Sequence, residues 1–88
     1  MSMIVPADAG AFSVLLPLVS NGKVIEIFPS PVLAWVIDET GVIGIVTPTR
    51  VFPAGSALWT PEGLVESEGG MWPGPEEYLK HLQRTLLS

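Results

Sequence analysis

His81 is the only histidine of the chain, and Glu77 stands four residues before it. On a helix that spacing brings the two side chains onto one face, where a carboxylate can orient an imidazole for proton transfer. No serine stands in any sequence relation to this pair, so a surface histidine beside a carboxylate is the plainer reading. Glu62, Glu66 and Glu68 form the other cluster. Glu66 and Glu68 share one face of an extended strand, and paired carboxylates serve acid–base chemistry or hold a divalent cation. Charges of this kind also keep sheet edges from pairing with one another, which is the simpler role here. Ser56 in Pro53-Ala54-Gly55-Ser56-Ala57 lacks the Gly-x-Ser-x-Gly frame of a nucleophile elbow. Gly69-Gly70 is not followed by the Lys-Ser or Lys-Thr of a phosphate-binding loop. With no cysteine and one histidine, the chain has no set of zinc ligands. No cofactor or metal is expected, and an enzyme using Glu66, Glu68 or His81 is the least favoured function.

The aromatic residues are the better candidates. Trp35, Trp59 and Trp72 are three tryptophans in 88 residues. Trp35 lies in a continuous apolar run and reads as core. Trp59 precedes a turn, and Trp72 lies shortly before a predicted helix. Tryptophan near loops is enriched at binding hot spots, since it buries a large area and keeps a polar N–H. For Trp72 the competing and preferred role is packing near Tyr78, pinning the helix to the sheet. Trp35, Trp59, Phe28 and Phe52 are also the residues that would line a cleft for a small apolar or aromatic ligand.

The elements that must place these residues follow from punctuation and periodicity. Asn21-Gly22 between apolar runs predicts a type I′ hairpin of residues 12–19 and 23–28, with Val19 opposite Val24 and Leu18 opposite Ile25. Pro17 cannot donate to a ladder and marks an edge or a bulge. A second hairpin, residues 32–37 and 42–47, turns at Asp38-Glu39-Thr40-Gly41. Its arms are apolar at nearly every position, which predicts the centre of the sheet with both faces buried. A third, weaker pair covers 56–60 and 64–67 around Pro61-Glu62-Gly63. Residues 68–74 read as a connector. A helix follows over 75–87, with Gly74 as N-cap, Pro75 at the first position and Glu76 and Glu77 in the first turn. Leu79, Leu82 and Leu86 fall on one face, and Glu76 and Lys80 are spaced to pair.

These elements predict an α+β, mostly β fold in one domain over 1–88. Its antiparallel meander of about five to six strands over 12–67 is curled or half-rolled, with one C-terminal amphipathic helix packed on one face. Apolar residues make up 48% of the chain and charged residues 15%, and mean hydropathy is +0.48. That is apolar for a chain this short, and one helix covers only one face of a sheet. A second copy over the other face is the expected solution, as a two-fold homodimer; a tightly rolled monomer is the alternative. Four cations and a net charge of −5 make a poor footprint for nucleic acid. No apolar stretch reaches the ~20 residues of a membrane span, and the N-terminus lacks a basic signal region, so a cytoplasmic protein is expected. The leading function is a small acidic, non-enzymatic protein-interaction module that acts through its apolar sheet face or tryptophan-bearing loops. The alternative is a binder of a small apolar or aromatic ligand between sheet and helix.

Overall fold

The structure, a computed structural model, describes residues 1–8, 10–67 and 69–86. Asn21 and Gly22 take φ values of 53° and 76°, the two left-handed residues of a type I′ turn. They join β2 (Ser13–Ser20) to β3 (Lys23–Pro31). Val19 faces Val24 as expected, but Leu18 faces Glu26 and not Ile25. The register slips between Leu18 and Val19, and Ile25 is the extra residue of a β-bulge. Pro17 is tolerated for a related reason. Leu15 donates its N–H to the Ala57 carbonyl on the side away from β3, and two residues on, the nitrogen of Pro17 points the same way. Among the described residues no strand lies there, since β2 pairs with β7 (Leu58–Trp59) through Ser13 and Val14.

One sheet has the order β1-β4-β5-β6, formed by Met3–Pro6, Ala34–Asp38, Gly41–Val46 and Val51–Pro53. The second predicted hairpin is its centre, as β4 and β5. At the turn, Asp38 Oδ1 accepts from the Thr40 N–H at 2.7 Å and from the Thr40 hydroxyl at 2.6 Å. These bonds, the hydroxyl's first, hold the Asp38 carboxyl below its ordinary value of 3.8. Thr47 closes the next turn, donating its N–H at 3.0 Å and its hydroxyl at 2.8 Å to the Arg50 carbonyl. Short β1 has no sequence signal of its own; β4 supplies its partner groups, pairing Met3 with Ile37 and Val5 with Trp35.

The other sheet has the order β3-β2-β7-β8-β9, with β8 at Val65–Ser67 and β9 at Gly70–Trp72. The β7–β8 turn is closed by the Gly63 N–H on the Thr60 carbonyl at 2.9 Å, with Pro61 at its second position. Strand β9 lies where a connector was expected, because β8 offers it a free edge across Val65–Trp72 and Glu66–Met71.

Helix α1 (Pro75–Leu86) starts at Gly74, whose carbonyl accepts from the Tyr78 N–H at 3.2 Å. It packs on both β3 and β9, the two outer strands of the five-stranded sheet. A flat sheet would hold those strands four places apart, so this sheet curls, and the helix lies across the gap it leaves. Gln83 Nε2 reaches the Val24 carbonyl of β3 at 3.0 Å, capping part of an edge that would otherwise be open.

Two clusters show how the layers stack. Val14, Val32, Ile45 and Phe52 form one core with Trp35, Phe12 and Leu58 around it; Leu15, Ala57 and Val65 form the other, against Ile27, Trp72 and Tyr78. Val14 and Leu15 are consecutive in β2 and so point to opposite faces, Val14 toward the four-stranded sheet and Leu15 toward the helix. The molecule is thus sheet, sheet, helix. It is mostly β and antiparallel with one C-terminal helix, as expected, but its strands divide between two sheets. Burial on both faces falls on β2 rather than on the β4–β5 hairpin. No helix among the described residues is long and apolar enough to cross a membrane.

Candidate functional site

The four-stranded sheet buries one face and leaves the other open. Trp35, Ile45 and Phe52 are cross-strand neighbours and point into the core. Their alternates form two rows on the outer face, Pro6-Ala34-Val46-Val51 and Ile4-Val36-Gly44-Pro53. The shared face is confirmed at Gly44, where a Cβ would stand 3.3 Å from Val51 Cγ1 and 3.4 Å from Val36 Cβ. None of the eight positions is charged or carries a side-chain hydrogen-bonding group. Ile4 is 68% exposed and Val51 59%, so water, not protein, covers the outer strands of this face. Helix α1 lies on the far side of the other sheet.

A second feature is a cleft of about 230 Å³ at one end of the five-stranded sheet. Gly10 and Ser13 border it on one side, and Trp59, Thr60, Pro61 and Gly63 on the other. Ser13 and Trp59 are cross-strand partners on the helix-side face, at the end away from the β2–β3 turn. Trp59 is 38% exposed. Within the wall, Thr60 Oγ1 is shut off from water and has no hydrogen-bond partner among the described residues, a condition that costs roughly 1–3 kcal/mol.

The five aromatic candidates are not gathered in one place. Trp35 and Phe52 belong to the core between the sheets. Trp35 meets Phe12 edge-on, ring centroids 5.3 Å apart, and Phe52 carries the Arg50 guanidinium 4.4 Å above its ring. Phe28 is exposed on β3, opposite Leu16. Trp72 lies 4.9 Å from Tyr78 and 4.8 Å from His81 between ring centroids, so it pins the helix to β9. Of the five, Trp59 lines the cleft described above.

The polar candidates have structural employment. His81 is half-buried against Trp72 rather than bonded to Glu77. Ser56 donates its hydroxyl to the Pro53 carbonyl at 2.9 Å. Glu66 is exposed on β8, while Glu68, its proposed partner, and Leu87, the expected helix end, lie outside the described residues. Glu76 and Lys80 do not pair; the ion pair among the described residues joins the Met1 amine to Glu39 at 3.1 Å, both exposed. Among the described residues no three His, Asp or Glu side chains converge.

Sequence reading missed Ile4 and Pro6, since β1 was not foreseen, and did not single out Val36 or Val51. The available signal was the unbroken apolar character of residues 32–37 and 42–46. It reported an apolar outer face correctly but could not tell whether that face was covered. No protein-family model, curated protein or solved structure matches the chain.

Proposed function

We propose that this protein is a non-enzymatic interaction module that self-associates through the outer face of its four-stranded sheet, a second copy covering the first about a two-fold axis. The observation that carries the reading is the pair of rows Pro6-Ala34-Val46-Val51 and Ile4-Val36-Gly44-Pro53, apolar throughout, with Ile4, Pro6, Val51 and Pro53 exposed at its outer strands. A face without charge offers a differently charged partner nothing to recognise, whereas it complements itself. Two such faces stack at about 10 Å, their side chains interdigitating as in a sheet sandwich.

Surface and shape support the same reading. The chain exposes 5690 Å², about 700 Å² more than the roughly 5000 Å² expected of a monomer of its mass. A standard interface removes about 800 Å² from each partner. Its radius of gyration is 13.5 Å, against about 12 Å for a compact domain of this length.

Sedimentation velocity over a range of concentrations tests the reading. The chain is expected to sediment at twice its 9.4 kDa mass. Ile4→Glu and Val51→Glu, at exposed positions, should give monomers with unchanged circular dichroism, because two carboxylates per dimer would be buried unpaired. A wild-type chain that stays monomeric at hundreds of micromolar would refute it.

A further inference from the structure

The cleft at Trp59 is separate from the outer face of the four-stranded sheet and is built for a different ligand. We infer that it takes a proline-containing peptide segment in the extended polyproline II conformation. Trp59, 38% exposed, and Pro61 supply its apolar wall; besides the buried Thr60, the lining side chains that carry a hydrogen-bonding group are the Trp59 indole and the Ser13 hydroxyl. Neither side-chain group has a hydrogen-bond partner among the described residues. The indole N–H only donates, a serine hydroxyl donates readily, and no lining residue bears a carboxylate, an amide or a cation.

An uncharged wall whose indole N–H only donates suits an uncharged ligand that offers acceptors. A polyproline II strand makes no internal hydrogen bonds, so its carbonyls are free, and proline brings no N–H that would need an acceptor. The proline ring supplies the apolar body that lies on an indole, as in other aromatic-lined grooves for such peptides. A sugar ring also stacks on indole, but its hydroxyls donate as well as accept and would find no carboxylate or side-chain amide here. At about 230 Å³ the cleft falls below the ~300–1,000 Å³ of sites for whole drug-sized molecules. It has room for one ring and its flanking carbonyls. A Cβ at Gly10 or Gly63 would meet nothing within 4 Å, so the two glycines leave open backbone past which a chain can run.

The test is a titration of the ¹⁵N-labelled protein with a proline decapeptide, followed by ¹H–¹⁵N correlation spectra. A Gly-Ser decapeptide and a soluble glucose oligomer are the comparison ligands. Saturable movement of the Trp59 indole N–H and of the Ser13 and Gly63 amides is expected with the proline peptide alone. Trp59→Ala should weaken binding at least tenfold, and Trp59→Phe, which keeps a ring but loses the donor, about three- to tenfold. No movement at Trp59 with millimolar proline peptide, an equal response to the Gly-Ser peptide, or a response to the glucose oligomer alone would overturn the inference. If Trp59→Ala does not fold, Trp59→Phe still decides, and wild-type affinity in that variant contradicts the donor's role. The Val51→Glu chain should bind the peptide as wild type does, so failure of self-association and failure of this site are told apart.

Discussion

Thr60 keeps a hydroxyl that is shut off from water and meets no hydrogen-bonding group among the described residues. Thr60→Val preserves the shape and removes the orphan, so it should stabilise the fold by about 1 kcal/mol, read as a higher urea midpoint at unchanged slope. A lower midpoint would mean that the hydroxyl is partnered after all. Tyr78 makes a different statement. Burial pushes its phenol above the ordinary 10.0, so the folded state holds that proton more tightly than the unfolded chain. The associated stability is intact below pH 10 and declines as pH rises through the folded value. Tyr78→Phe should therefore flatten the loss of stability above pH 10 while leaving the rest of the pH profile alone; an unchanged alkaline slope would rule Tyr78 out as its source. Of the residues that invited chemistry, Ser56 serves a turn and His81 packs on Trp72, contacts that residue type and spacing do not reveal. His81 and Trp72 stand nine positions apart and meet only because β9 lays the indole against the helix.

Among the elements, those with their own punctuation were legible in the sequence. Asn21-Gly22, Asp38 to Gly41, Pro61 to Gly63 and Gly74-Pro75 each force a local geometry through φ, a cap or a ring, and each turn or helix start occurs where they place it. Strands β1 and β9 were not legible. Each is four residues or fewer and exists because a neighbour offers a free edge, which is information held elsewhere in the chain. The Ile25 bulge belongs to the same class, since an apolar run fits either register. Trp72 shows how much rests on one of these hidden strands. It is the contact that joins β9 to α1, so Trp72→Ala should cost about 2–3 kcal/mol, less than a fully buried tryptophan would, and Trp72→Phe clearly less. Urea unfolding measures both; a loss under 1 kcal/mol for the alanine variant would mean the helix is held by Gln83 and Tyr78 instead.

At the scale of the whole molecule, layering decides which apolar faces are hidden. The five-stranded sheet is covered twice, by its partner sheet and by α1, and β2 accordingly buries both Val14 and Leu15. The four-stranded sheet is covered once. Periodicity in residues 32–46 registered two apolar faces but not their fates, because hydropathy records what a face would prefer rather than what lies on it. A second copy is expected to cover the remaining face. Isotope-filtered nuclear Overhauser spectra on a mixture of ¹³C-methyl-labelled and unlabelled chains would see that interface. Intermolecular contacts are expected among the methyls of Ile4, Val36, Val46 and Val51. Absence of any intermolecular contact at hundreds of micromolar, or contacts confined to other residues such as Leu18 and Phe28 on the β2–β3 arm, would contradict it.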